Sequence, residues 1–193
     1  MPTPRIVENL VAAGRIRPTV VVLVGNVPHS RAKELGGNPA FVAFVARELL
    51  PWLRRRYGLS TEPSRTVLAG SSLGGVASAC AALQYPRLFG NVLGQSGAFI
   101  HPVPLGRKSS STLMEQYAHA PRVPIRFYLD AGTHESETIP EMAESLLGSV
   151  RHLRDVLEAR GYAVTYAEFE GGHDCVCWIG TLADGFVHLL GWS

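Results

Sequence analysis

The 193-residue chain has little cysteine, little net charge and no long apolar run, and each shortage excludes something. Three cysteines do not make a disulfide framework. Cys175 and Cys177 are one residue apart, a ring too strained to close, and the spacing lacks the partners of a zinc site. Reduced, packed thiols in a cytoplasmic protein are the expectation. A net charge of +2 is too small to argue for nucleic acid or a membrane surface. The cluster Arg54-Arg55-Arg56 reads as the solvated end of a helix, where cations oppose the helix dipole. No stretch approaches the ~18 apolar residues of a membrane helix. Met1-Pro2-Thr3-Pro4-Arg5 does not begin a signal peptide.

What is present is a globular balance, 46% hydrophobic, in a length that suits one domain over residues 1–193 with one substantial core. Continuous apolar runs alternate with helical patterns, which points to an α/β fold: a mainly parallel sheet with helices on both faces. Helices are expected over residues 6–13, about 39–57, 140–160 and about 178–190. In the second of these Phe41, Phe44, Val45, Leu49 and Trp52 share a face; Pro39 fits the first turn and Pro51 should bend or tighten it. Strands are expected at 19–24, 66–69, 91–94, 125–129 and 163–169, five in all. Residues 96–124 read as irregular, either a flap over the site or a plain surface excursion.

The most informative motif is Gly70-Ser71-Ser72-Leu73-Gly74, a G-x-S-x-G. It lies between the apolar run at 66–69 and a small-residue helical run at 75–83. That is the strand–sharp turn–helix context in which a serine is held out as a nucleophile. The glycines avoid a clash between strand and helix across the strained turn. The bland alternative for Ser72 is a Gly/Ser turn that only caps a helix.

A hydrolase of this architecture needs nucleophile, acid and histidine in that chain order, each in a loop at the carboxyl end of a strand. Of seven histidines, His173 alone follows the last strand and precedes the last helix, in Glu170-Gly171-Gly172-His173-Asp174. The acid must follow the strand that ends at Leu129. Asp130 and Glu135 both qualify, and spacing does not choose between them. Asp174 is a third candidate, although adjacent side chains diverge; its ordinary role is to cap the following turn. In these roles His173 takes the proton of Ser72, whose oxygen attacks an ester carbonyl, and water later cleaves the acyl-enzyme. One oxyanion donor is expected from the backbone N–H of Leu73. No metal or cofactor is required.

Jointly, Arg31-Ala32-Lys33-Glu34-Leu35, Glu48-Leu49-Leu50-Pro51-Trp52, the serine motif, Phe89-Gly90, Gln95-Ser96-Gly97 and Gly171-Gly172-His173-Asp174 resemble the enterochelin esterases and the wider esterase D-like group. The resemblance covers most of the chain, from about Ile6 to Trp178. It implies an α/β-hydrolase fold and a serine esterase with a small-molecule ester substrate, siderophore-type or other. It carries over Ser72 and His173, favours Glu135 over Asp130 as the acid, and places Arg31 near the substrate pocket. Members of that group have an upstream strand whose loop gives the second oxyanion donor, and Met1 falls within the helix that would follow it. The expectation is therefore that 19–24 pairs directly with 66–69, so that Gly25, Asn26 or Val27 offers the second N–H, with Asn26 the candidate. An exposed sheet edge would instead favour a homo-oligomer or a shortened, non-catalytic binding domain. An acyltransferase using the same serine is a further alternative.

Overall fold

Alternate residues of the strands enter different cores. Val92, Phe127, Leu129 and Ala131 join one cluster, whereas Leu93 and Tyr128 join another. Successive side chains of a strand point to opposite faces, so this sheet is covered on both sides. The computed structural model describes residues 2–27, 29–105, 109–140 and 144–192. Its elements begin with α1 (Thr3–Ala12), α2 (Arg31–Leu35), α3 (Pro39–Phe44), a π-helical turn (Val45–Leu49) and α4 (Leu50–Tyr57). Then come β1 (Val67–Ser71), α5 (Leu73–Gln84), β2 (Asn91–Gln95), β3 (Val103–Leu105), β4 (Ser109–Ser111) and α6 (Leu113–His119). The chain continues with β5 (Arg126–Gly132), β6 (Thr138–Ile139), β7 (Glu144–Ser145), α7 (Leu146–Ala159), β8 (Ala163–Phe169) and α8 (Cys175–Leu190).

β1, β2, β5 and β8 form a four-stranded parallel sheet in that order. Helices α5, α6 and α7 cover one face, and α1 and α8 cover the other. In register, Ser71, Gln95, Asp130 and Ala167 form one row across the carboxyl end of the sheet. The loops that follow carry the chemistry-bearing side chains.

Pro39 takes the first-turn position under an Asn38 cap, whose side chain accepts from Ala40 N at 2.8 Å. Pro51 has no N–H for the carbonyl four residues back, and the π turn at Val45–Leu49 absorbs that break in the ladder. The side chains buried here are Val42, Ala46, Leu50 and Leu53, while Phe44 and Trp52 of the expected apolar face are exposed. Arg54, Arg55 and Arg56 occupy the last turn of α4, which Gly58 ends in the left-handed region at φ 63°. The 96–124 segment is more regular than expected. Thr112 and Glu115 form a capping box at the start of α6, and Val103, Leu113, Met114 and Tyr117 lie in the core. Gly106, Arg107 and Lys108 of the expected flap lie outside the described residues.

The fifth strand requires correction. Residues 19–24 form no strand, and among the described residues no strand pairs with the outer edge of β1. A cleft of about 1270 Å³ lies there, lined on one side by residues 18–24 and on the other by 66–71. Direct pairing was expected because buried backbone groups must find partners. That premise fails here because the segment is open to water: Val20 is 48% exposed, Leu23 65% and Val24 43%. Backbone groups open to solvent can pair with water in place of a neighbouring strand.

Candidate active site

The elbow is built by a crossing that only glycine permits. Ser71 ends β1, Leu73 begins α5, and Ser72 between them has φ 58° and ψ −124°. A Cβ on Gly70 would lie 2.8 Å from the Cα of Gly74, inside the helix backbone. A left-handed φ at a non-glycine residue costs about 1–3 kcal/mol and persists only where its surroundings over-determine it. Here they do. Ser72 N donates to Gln95 O at 2.9 Å, and Ser72 O accepts from Gly75 N at 3.0 Å and Ala98 N at 3.3 Å.

His173 follows β8 by four residues and Glu135 follows β5 by three. A tight turn, with Glu135 N donating to Gly132 O at 3.1 Å, swings the carboxyl back over the sheet. His134 N donates to Gly171 O at 3.0 Å, tying that turn to the loop that carries His173. The result is a hydrogen bond of 2.9 Å between His173 Nδ1 and Glu135 Oε2. The other carboxyl oxygen, Oε1, accepts from Gly132 N at 2.9 Å and from Ser96 Oγ at 2.5 Å. Trp178 Nε1 donates to Ser96 Oγ at 2.9 Å, and its ring stands edge-on to the His173 ring, with centroids 4.9 Å apart. Burial pushes the Glu135 carboxyl up, but the hydrogen bonds from His173, Ser96 and the Gly132 N–H outweigh it and hold the group below its ordinary value.

Of the two acids that spacing left open, Glu135 is the one brought to His173. Asp130 lies lower, fully buried beside Gln95, whose Nε2 reaches its Oδ2 at 3.4 Å. Burial pushes the Asp130 carboxyl up to about 6, only partly offset by hydrogen bonds from Thr181 and Gln95. Asp174 has the expected capping role: Oδ1 accepts from Val176 N at 2.7 Å and Cys177 N at 3.0 Å at the start of α8.

Leu73 is the first residue of α5, where helix N–H groups have no intrahelical acceptor. Arg31, at the start of α2, donates from Nη2 to Ser71 O at 3.4 Å, directly beside the elbow. Asn26 also lines the cleft, but its side chain donates to Glu34 Oε2 at 2.8 Å. The strand pairing that would have carried the 25–27 backbone to Ser72 is not formed, so that argument for Asn26 lapses. Of the thiols, Cys80 is buried but Cys175 is exposed, so packing is not common to all three. Among the described residues no group of three His, Cys, Asp or Glu side chains is placed to hold a metal ion.

Sequence reasoning missed Ser96 and Trp178 as parts of this cluster. The triplet Gln95-Ser96-Gly97 was visible as a motif, but nothing in its spacing says that β2 ends beside Glu135.

Comparison with known proteins bears on the same elements. The family model described as "Putative esterase" matches residues 1–189. The chain belongs to that family. It is 31% identical over 194 residues to the iron(III) enterobactin esterase of Dickeya dadantii, covering 95% of this chain and 43% of that protein. It is 32% identical to the iron(III) salmochelin esterase of Escherichia coli O6:H1, covering 92% of this chain and 44% of that one. The crystal structure of enterochelin esterase from Shigella flexneri superposes with a TM-score of 0.80 at 31% identity, over 95% of this chain and 45% of the other. The chain thus spans less than half the length of these relatives. The shared fold is the α/β-hydrolase type, with a main sheet of four parallel strands among the residues described here. Among them no helix is long and apolar enough to cross a membrane.

Proposed function

We propose that this chain is a serine-dependent carboxylic ester hydrolase acting through an acyl-enzyme. The observation that carries the reading is the 2.9 Å bond between His173 Nδ1 and Glu135 Oε2, set over the same sheet end as the strained Ser72 elbow. With Nδ1 committed to Glu135, Nε2 is the nitrogen left to take the proton of Ser72 as its Oγ attacks the ester carbonyl. The oxyanion that forms accepts from the N–H of Leu73, aided by the positive end of α5. His173 then returns its proton to the departing alkoxide. Water enters, loses a proton to His173, and releases the acid from Ser72. Glu135 stays ionised throughout and holds the ring.

Membership of the esterase family, and the names of the enterobactin and salmochelin esterases among its relatives, support a small ester of the siderophore type as substrate. Arg31, donating to Ser71 O at the mouth of the cleft, is the residue proposed to meet it. The test is turnover of enterobactin and of 4-nitrophenyl butyrate by wild type and Ser72→Ala. Hydrolysis that survives Ser72→Ala, or a folded wild type that turns over neither ester, defeats the proposal.

A second reading draws on the exposed Val20, Val22, Leu23 and Val24 beside the edge of β1 that no described strand pairs: a domain whose task is assembly with another chain. Ester turnover by a protein that sediments as a monomer excludes it.

A further inference from the structure

We infer that Ser96 and Trp178 are positioning residues that hold Glu135 as an ionised acceptor and thereby fix which nitrogen of His173 carries the proton. The inference rests on the serine-hydrolase reading above and adds two residues to it.

An indole N–H can only donate, so Ser96 Oγ is the acceptor of the 2.9 Å bond from Trp178 Nε1. A hydroxyl has one proton. With Trp178 filling one acceptor site, that proton is directed at Glu135 Oε1, 2.5 Å away. The same oxygen receives the Gly132 N–H at 2.9 Å. An oxygen that takes two donors carries no proton of its own, and the two donors favour the ionised carboxyl. Its second oxygen, Oε2, then accepts from His173 Nδ1 at 2.9 Å, which leaves the lone pair on Nε2. From Trp178 through Ser96 to Glu135, each donor has one direction only. Turning the Ser96 hydroxyl around would set its proton against the indole N–H.

Two further features separate this from incidental packing. Ser96 is fully buried and has φ 46°, a conformation that glycine adopts without strain. The residue there is nevertheless a serine, and its hydroxyl is what glycine lacks. Trp178 reaches both sides of the pair: it donates to the hydroxyl that holds Glu135, and its ring packs edge-on against His173. Two further carboxyls lie beside this cluster: Asp130 on β5, whose backbone carbonyl accepts from Ser96 N at 2.8 Å, and Asp174, next to His173, whose Oδ1 caps α8. Neither makes a hydrogen bond to His173 among the described residues.

The variants are Ser96→Gly, which removes the hydroxyl while relieving the backbone, and Trp178→Phe, which keeps a ring against His173 and removes the N–H. With 4-nitrophenyl acetate, Ser96→Gly should lose about 10–100-fold in kcat with little change in KM, and Trp178→Phe somewhat less. With one donor gone, burial of Glu135 is less opposed, so its carboxyl titrates at higher pH and the acidic limb of kcat/KM moves up with it. A merely structural role would reduce the fraction of competent enzyme and leave the limb in place. The activity-independent readout is the downfield proton resonance of His173 Nδ1, present in wild type, absent in Glu135→Gln, and shifted or broadened in Ser96→Gly. Wild-type kcat, limb and resonance in Ser96→Gly overturn the inference and leave the hydrolase reading standing. A wild type with the resonance but no ester turnover sinks the hydrolase reading and leaves the positioning role intact. No downfield resonance in folded wild type overturns the inference.

Discussion

Replacing Asp130 with Asn should stabilise the protein at neutral pH, by an amount that follows from where the carboxyl sits. Asp130 is fully buried near the end of β5, and its Oδ1 has no hydrogen-bond partner among the described residues. Burial raises its folded value from 3.8 to about 6, while an unfolded chain titrates it near ~3.9. Between those values the native state binds more protons than the unfolded one, so stability falls as pH rises through the window. Below about 4 the group is neutral in both states and the penalty is absent; above about 6 it is fully present. At ~1.4 kcal/mol per pH unit, the displacement is worth about 3 kcal/mol at pH 7. Asn removes the buried charge but brings an N–H₂ group to a place with few acceptors, so about 1–2 kcal/mol should be recovered. For a chain of this size that raises Tm by about 3–6 °C. Urea melts of wild type and Asp130→Asn between pH 4 and pH 8 read the difference directly, and it should grow with pH up to about 6 and then level off. A variant less stable than wild type at pH 7, or a difference that does not change with pH, would refute the reasoning.

Glu135→Gln should slow turnover by about 10⁴-fold with the fold intact, since the amide cannot enforce the required tautomer of His173. Asp130→Asn should leave kcat within a few-fold of wild type, and the opposite pattern would return the acid's role to Asp130. Gly70→Ala drives a methyl group into the backbone of Gly74 and should cost more than the usual 1–3 kcal/mol of an overpacked core, read as a lower urea midpoint or as insoluble protein. A Gly70→Ala protein with unchanged midpoint and activity would show that the elbow does not need the close crossing.

How much was legible in the sequence depends on how local the cause is. The elbow was legible because glycines at Gly70 and Gly74 are the signature of a strand crossing a helix. β8 and the end of α7 were legible because Gly161, with φ 74°, separates them, but the start of α7 was not: the helix expected from residue 140 begins at Leu146, after the short strand Glu144–Ser145. His173 stood out by chain order. The choice between Asp130 and Glu135 was not legible from spacing, because it is set by the turn that ties Gly132 to Glu135 and His134 to Gly171. Likewise, the apolar run at 19–24 reads the same whether it pairs with a strand or lines a cleft, and only tertiary context distinguishes them. Ser96 is visible in the sequence only as part of a triplet, because its partners lie 39 and 82 residues away in the chain.

The central claim is that Ser72 is a nucleophile activated by His173 and Glu135. Fluorophosphonate labelling tests it most directly, because the reagent needs an activated serine but no knowledge of the natural ester. Wild type should take one label at Ser72, located by peptide mass spectrometry, with labelling abolished in Ser72→Ala and strongly slowed in Glu135→Gln. Folded wild type that stays unlabelled, or equal labelling of Ser72→Ala, would contradict the account.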